Sequence, residues 1–359
     1  MGKRSTPYVS QTDRTITDQG LQNSSARPLP PQSVILSSRA PIGHLVINMT
    51  PMATNQGCKG LVPRGRVDHK FLYYYLGSIV DLLNVLGTGA TFKELSGGKL
   101  KEVPVPLPPL PEQQRIVTLL DEAFDGIATA KANAEKNLQY ARAIFESYLE
   151  SVFTQTGDGW GVFALGDICQ FENGDRGKNY PNRNEYVDVG VPWINTGHIR
   201  PDGTLSESEM NYITRQKFDS LRSGKIKPGD LVYCLRGATL GKTALVEPFE
   251  VGAVASSLVI IRPGGSVDVH FLYYFLTSSV GRGFIKDYEN GAAQPNLGAK
   301  SVAAFKIFVP SRIEQDGIVQ RLDALVSETQ RLQSLYQRKL TALDELKKSL
   351  LAQAFSGAL

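Results

Sequence analysis

Basic and amide side chains that could hydrogen-bond to nucleic-acid bases occur together in several predicted loops. Arginine and lysine suit guanine, asparagine and glutamine suit adenine, and serine and threonine are adaptable donors. In the second half of the chain the candidates are Arg236, Lys242, Asn195, Thr196, His198, Arg200, Asn290, Gln294 and Asn296. In the first half they are Ser38, Arg39, His44, Asn55, Gln56 and the segment from Thr88 to Lys93.

Arg236 and Arg39 are the strongest of these candidates for base contact, because both stand beside a turn that ends in glycine. Lys178, with Arg176 and Lys242, is a candidate phosphate contact, which would position a duplex without specifying its sequence. For every residue the alternative is a hydrogen bond that only shapes its own loop.

Catalytic motifs are missing from the sequence. The segment Gly237–Thr243 resembles a phosphate-binding loop, but only three residues separate Gly237 from Gly241 where that loop needs four. No Asn-Pro-Pro-aromatic, G-x-S-x-G or H-E-x-x-H motif occurs. The histidines are scattered singly and the cysteines form no C-x-x-C pair, so no metal centre is predicted. We therefore expect a protein that is not an enzyme, with no cofactor of its own.

The composition is that of a globular protein with room for two or three domains: 359 residues, 42% hydrophobic and 21% charged. No apolar run reaches the length of a membrane span, and the first residues lack the apolar core of a secretory signal. A cytoplasmic protein with no membrane segment is predicted. Residues 1 to 110 carry 12 Lys and Arg against 6 Asp and Glu, which is compatible with a polyanionic partner, although a solvated basic face is the commoner explanation.

An internal repeat organises the chain. Phe71–Leu76 (FLYYYL) recurs as Phe271–Leu276 (FLYYFL), in each case three residues after an aspartate that could cap a helix. Further on, Glu112-Gln113 matches Glu314-Gln315, and Phe153 matches Phe355. These matches indicate a tandem duplication.

Each copy is predicted to be a globular α+β part followed by one long helix. Short apolar runs such as 34–36 and 231–233 between turn residues indicate strands, and the FLYY segments indicate short buried helices. The proline-rich run 103–111 must be extended, because each proline fixes its backbone and lacks a donor. From about Pro111 to Phe153, and from about Ile313 to Phe355, apolar residues recur at helical spacing.

Each helix would be about 60 Å long with a narrow apolar stripe, which favours another helix as partner. We expect the two to form an antiparallel coiled coil with a globular part at either end; packing of each helix on its own globular part is the alternative. The predicted organisation is a first domain at 1–110, a central helix at 111–156, a second domain at 157–312 and a C-terminal helix at 313–359.

These features together resemble the specificity subunit of type I restriction-modification systems over nearly the whole chain. The matching motifs are Ser38–Gly43, Ala53–Gly57, the FLYY segments, the proline entry Pro106–Gln113, Leu165–Ile168 and Pro192–Ile199. The resemblance implies two α/β target-recognition domains in tandem, separated and joined by two long helices.

Function follows from the same resemblance: a non-catalytic subunit that reads a bipartite double-stranded DNA target, with the helices fixing the spacing. Its implied partners are two modification (methyltransferase) subunits, which use S-adenosylmethionine, and restriction subunits, which use ATP and Mg²⁺. A coiled-coil adaptor that assembles proteins without reading DNA is the alternative.

One difference separates the two copies. At the repeat offset, Met1 corresponds to a position near Ile199 or Pro201, so roughly the first 40 residues of the second domain have no counterpart in the first. We therefore expect the first domain to be N-terminally truncated and to contribute little sequence preference.

Overall fold

The computed structural model describes residues 6–89, 93–155, 157, 159–288 and 296–358, and of Tyr288 only the backbone. The chain divides into two compact units, one of residues 1–137 and 335–359 and the other of residues 138–334. Each long helix therefore contributes one part to each unit. The units are described separately below.

Unit 1 is built on one mixed sheet with helices packed against it. Its strands, β1 (Tyr8–Val9), β2 (Val34–Ser38), β3 (Ile42–Asn48) and β4 (Cys58–Leu61), lie in the order β1-β3-β2-β4. The β1–β3 pair is parallel, and the β2–β3 and β2–β4 pairs are antiparallel. Its short helices are α1 (Asp18–Gln22), α2 (His69–Ser78), α3 (Val80–Leu86) and α4 (Gly97–Lys101).

The long helix α5 spans Leu110–Thr154 and its duplicate at the end of the chain spans Arg312–Ser356, 45 residues each. Both predicted long helices are confirmed, and the second is called α11 below. Pro111 lies in the first turn of α5, where its missing N–H has no intrahelical partner to lose.

The described residues of unit 2 form three sheets. The strands of the first part are β5 (Gly161–Ala164), β6 (Cys169–Asn173), β7 (Tyr186–Val187), β8 (Val191–Ile194) and β9 (Asn211–Ile213). Those of the second part are β10 (Leu231–Cys234), β11 (Thr243–Leu245), β12 (Ala253–Val254), β13 (Leu258–Pro263) and β14 (Lys306–Val309). Their orders are β11-β10-β13-β6, β12-β8-β9-β7 and β14-β5.

The helices of unit 2 are α6 (Leu165–Ile168), α7 (Arg215–Ser220), α8 (Val269–Thr277), α9 (Ser279–Tyr288) and α10 (Ala299–Ala303). The FLYY segments form α2 and α8, as predicted. The carboxylates of Asp68 and Asp268 cap them, each accepting two backbone N–H bonds from the first turn. The strands predicted at 34–36 and 231–233 are also present, as β2 and β10.

Antiparallel pairing of the long helices is seen within each unit. In unit 1, Ile116 and Leu120 share a core with Ala354, and the Lys131 ammonium pairs with Asp344. In unit 2, Phe153 and Leu322 share a core, while further along the pair the carbonyl of Ala141 accepts a 3.4 Å bond from the Thr329 hydroxyl. In both units, residues later in α5 contact residues earlier in α11, so the two helices run antiparallel, as predicted.

Candidate nucleic-acid interface

Two strand ends meet at one edge of the main sheet of unit 2. β6 and β10 each pair antiparallel with β13, so they run in the same direction and end at the same edge. Asn173 ends β6, and Arg236 follows β10. A third segment joins them there, because Leu297 donates its N–H to the Leu235 carbonyl at 2.9 Å and Asn296 bridges to Arg236.

These three segments line an open cleft of about 560 Å³. The side chains of Asn173, Arg176, Arg236 and Asn296 are exposed around it. Arginine presents the donor fork that suits guanine, and asparagine presents the donor–acceptor pair that suits adenine. Loops held on a rigid sheet are the usual position for such side chains, so this cleft is the best candidate for base contact in unit 2.

The loop that carries Arg176 and Lys178 is fixed by a buried carboxylate. Asp175 accepts the backbone N–H of Arg222 at 2.8 Å and that of Gly177 at 2.6 Å. These hydrogen bonds, with the nearby Arg222 charge, lower the pKa of Asp175. The carboxylate is therefore ionised at neutral pH and holds the loop in place.

Close backbone approach is also built into this loop. A Cβ on Gly174 would lie 2.4 Å from the Ala255 carbonyl oxygen, and the facing Gly224 has φ +78°. The Glu172 carboxylate accepts the Gly224 N–H at 2.6 Å. Arg176 itself donates to the Ser256 carbonyl at 3.3 Å, which places its guanidinium at the cleft wall.

The turn after β10 presents two cations. Arg236 precedes a short 3-10 turn (Gly237–Thr239), and Lys242 lies after this turn. The Lys242 carbonyl accepts a 2.8 Å hydrogen bond from the Cys234 N–H. Both side chains are exposed, and neither has a side-chain partner among the residues that the structure describes. Lys178 is also exposed, and its side chain has no partner among the described residues. These cations are available to a polyanion.

Most polar side chains of the segment 195–200 form hydrogen bonds within the protein. The Asn195 amide oxygen accepts the Gly197 N–H at 2.8 Å, and the Asn195 N–H donates to His198 Nδ1 at 3.1 Å. His198 is buried, its Nε2 lies 3.3 Å from the Asn211 amide, and burial lowers its pKa, so the ring is neutral at pH 7. Arg200 bonds the Ser206 hydroxyl at 3.2 Å, and Thr196 is partly buried nearby.

In unit 1 the candidates separate into two environments. Ser38 is fully buried, and its hydroxyl has no hydrogen-bond partner among the described residues, so it faces the core. The Arg39 side chain lies against the turn at residues 55–57, where a Cβ added to Gly57 would be 3.1 Å from the Arg39 Nε. In that turn the Asn55 amide oxygen accepts the Gly57 N–H at 3.0 Å, and Gln56 is exposed.

The remaining candidates are spread around these two sites. His44 lies in β3, half-buried, with its N–H bonded to the Ser37 hydroxyl at 2.8 Å. Thr88 and Lys93 are exposed. Asn290 and Gln294, like residues 90–92, lie outside the described residues. The structure thus gathers Arg236, Asn296 and Lys242 in unit 2, and Arg39 with Asn55 and Gln56 in unit 1.

Asn173 and Arg14 were not singled out from the sequence. Asn173 borders the unit 2 cleft, and exposed Arg14 lines a cleft of about 440 Å³ in unit 1 together with Asn55. No local pattern marks either residue, because both reach their clefts through strand pairing between distant segments. Within the described residues, no grouping of histidine, cysteine, aspartate or glutamate suits a metal, and no helix is long and apolar enough to cross a membrane.

Comparison with known proteins agrees with the fold. The family described as "Type I restriction modification DNA specificity domain" matches residues 2–138 and again residues 157–337. The chain therefore belongs to the type I restriction-modification DNA specificity family and carries its domain twice. The resemblance drawn from the motifs is confirmed, and so is the predicted fold class of two tandem α+β domains with two long helices.

The chain is similar to two named specificity subunits over most of its length. It is 26% identical to the type I restriction enzyme MjaIX specificity subunit of Methanocaldococcus jannaschii, over 98% of this chain and 83% of that protein. It is 23% identical to the EcoBI specificity subunit of Escherichia coli, over 92% and 74%.

Solved structures show the same fold. A chain from work on complex assembly and conformational transition of the type I R-M system has a TM-score of 0.76 at 19% identity, over 95% of this chain and 86% of that one. The HsdS subunit from Thermoanaerobacter tengcongensis has a TM-score of 0.64 at 19% identity, over 94% and 85%. At this identity the likeness concerns the fold.

Proposed function

We propose that the chain reads a bipartite double-stranded DNA target for a type I restriction-modification complex and has no catalytic activity of its own. Each unit contacts one half-site, unit 2 contributes most of the sequence preference, and the long helices fix the distance between the half-sites. The observation that carries the proposal is the unit 2 cleft, where Arg236, Asn173 and Asn296 stand exposed at one sheet edge.

The chemistry belongs, in this proposal, to partner subunits. Two modification subunits supply methylation with S-adenosylmethionine, and restriction subunits supply ATP- and Mg²⁺-dependent work. The matches to named specificity subunits support this division of labour. The chain is proposed to act in the cytoplasm, where its DNA target is accessible.

Electrophoretic and anisotropy titrations test the proposal. The full chain, purified with its modification subunits, is titrated with duplexes from a randomised library at several salt concentrations. We expect selective enrichment of a two-part sequence, with affinity falling steeply as salt rises, because phosphate contacts release counterions. A protein adaptor that does not read DNA would show no enrichment and no salt-dependent duplex binding.

A further inference from the structure

Helix α9 in unit 2 carries its two basic residues on the face that points away from the core. Phe284 and Ile285 pack against the core of unit 2, and the Phe284 ring stacks on Phe305 at a centroid distance of 5.2 Å. Arg282 and Lys286 are four residues apart, so they share one face of the helix. Both are exposed, and neither side chain has a partner within the part of the chain that the structure describes. The outer face of α9 is therefore a basic surface held firmly on the core.

Gly283 lies beside these two cations and leaves the helix backbone accessible. A Cβ added there would point into open space, so packing does not require a glycine. A glycine inside a helix costs about 1 kcal/mol relative to alanine. Such a residue suits a place where a ligand comes close to the backbone. The acidic residue of α9, exposed Asp287, lies about 100° around the helix from Lys286 and does not stand between the cations.

This helix lies at the sheet edge that carries the unit 2 cleft. A Cβ on Gly241 would be 2.6 Å from the Ile285 Cδ1, so α9 packs directly on the turn that follows β10. Lys242 ends this turn and precedes β11, which starts at the same edge because it runs antiparallel to β10. Lys242 therefore stands with Arg282 and Lys286 on one side of the cleft. These three cations are called the β11 flank below.

A second pair of cations stands on the other side of the cleft. Arg176 and Lys178, called the β6 flank below, follow β6, and the sheet order β11-β10-β13-β6 places β6 and β11 at its two ends. Neighbouring strands lie about 4.8 Å apart, so about 14 Å separate β6 from β11. The major groove of B-DNA is about 12 Å wide. The two flanks are thus spaced to contact the two backbones that border one groove, with Arg236 between them.

We propose that the β11 flank binds the phosphate backbone of one DNA strand and the β6 flank binds that of the other, on the two borders of one major groove. This inference rests on the proposed function and adds to it the outer face of α9 as a phosphate-binding surface. Arginine and lysine side chains that contact phosphates position a duplex without reading its sequence. Gly283 lets the DNA backbone approach the helix, and Arg236 faces the base edges on the groove floor.

The salt dependence of duplex binding by the full chain with its modification subunits tests the proposal, on a duplex that carries the sequence selected by the wild-type complex. Arg282→Ala and Lys286→Ala should each lower the slope of log affinity against log salt by about 1, because one phosphate contact fewer releases fewer counterions. Library selection with either variant should return the wild-type sequence. Lys227→Ala, an exposed lysine before β10 at the opposite edge of the sheet, is the matched control and should leave the slope unchanged.

Phosphate-ethylation interference locates the contacts. With the wild-type complex, ethylated phosphates should block binding in two groups on opposite strands of the half-site contacted by unit 2. With the variant that combines Arg282→Ala and Lys286→Ala, one group should disappear and the other remain.

Unchanged slopes with an unchanged interference pattern would overturn this inference, while intact target selection would leave the proposed function standing. A changed base preference in either single variant would also overturn it, because α9 would then read bases. Absence of both sequence selection and salt-dependent binding by the wild-type complex would overturn the proposed function and this inference together.

Discussion

The buried side chain of Gln113 accepts a 2.9 Å hydrogen bond from the backbone N–H of Asp68, the residue whose carboxylate caps α2. The Gln113 amide also donates to the carbonyls of Arg66 and Pro108. Unit 2 repeats the arrangement with Gln315 and Asp268 at 2.7 Å. One glutamine in each copy thus joins the start of a long helix to the start of the FLYY helix.

Gln113→Leu should therefore destabilise the chain. The substitution removes the hydrogen-bond partner of one buried N–H and two carbonyls, which should lower the free energy of unfolding by about 2 to 4 kcal/mol. Denaturant unfolding monitored by circular dichroism measures the change. Gln114→Leu, one residue along and exposed, is the control and should lie within about 0.5 kcal/mol of wild type. Equal stability of the two variants would contradict the role of Gln113.

Two buried tyrosines should respond in opposite ways to loss of the hydroxyl at pH 7. The Tyr274 hydroxyl donates to Asp323 at 2.5 Å, whereas the Tyr233 hydroxyl has no partner within the described residues. Tyr274→Phe should cost about 1 kcal/mol, and Tyr233→Phe should be neutral or stabilising. Thermal unfolding of both variants beside wild type measures this; a larger loss from Tyr233→Phe would contradict it.

The same tyrosines give a prediction for alkaline pH. Burial raises the pKa of Tyr233, and burial together with the bond to Asp323 raises that of Tyr274. Because the unfolded chain releases these protons from about pH 10 and the folded chain retains them, stability falls as the pH rises further. Either phenylalanine variant should show a shallower fall than wild type in unfolding curves from pH 8 to 11. If stability fell as steeply with pH in both variants as in wild type, the raised pKa values of the two tyrosines would be contradicted.

The helix pair in unit 2 should be sensitive to charge at Ala141. This residue is 5% exposed, and its carbonyl accepts the Thr329 hydroxyl across the pair. Ala141→Asp places an unpaired carboxylate there and should cost several kcal/mol. Ala143→Asp, on the exposed face of the same helix, is the control and should leave the melting temperature nearly unchanged. Similar melting temperatures for both would mean that the helices do not pack at Ala141.

Asp175 should matter for DNA affinity as well as for stability. Asp175→Ala removes the acceptor for two backbone N–H groups and releases the loop that carries Arg176 and Lys178. Duplex binding by the complex should weaken. Its lowered pKa means that this contribution persists at neutral pH and is lost only as the pH falls below about 4. Exposed Asp188→Ala, the control, should bind as wild type.

Local patterns in the sequence predict much of this fold. The aspartate caps and both long helices depend on residues close together along the chain, and all are present. The base-contact candidates depend on distant pairing instead. Ser38 resembles a loop residue in the sequence, yet it ends β2 in the core, and Asn173 reaches the cleft only because β6 and β10 flank β13. The spacing of apolar residues along the sequence does not indicate which distant strands pair.

The most direct test of the proposed readout compares Arg236→Ala with Lys178→Ala in the reconstituted complex, by selection from a duplex library and sequencing. If Arg236 contacts a base edge, its loss should relax preference at one position of one half-site, by about 1 to 3 kcal/mol, while loss of Lys178 weakens all sequences equally. Uniform weakening by both variants, with every position still specified, would contradict sequence reading by the unit 2 cleft.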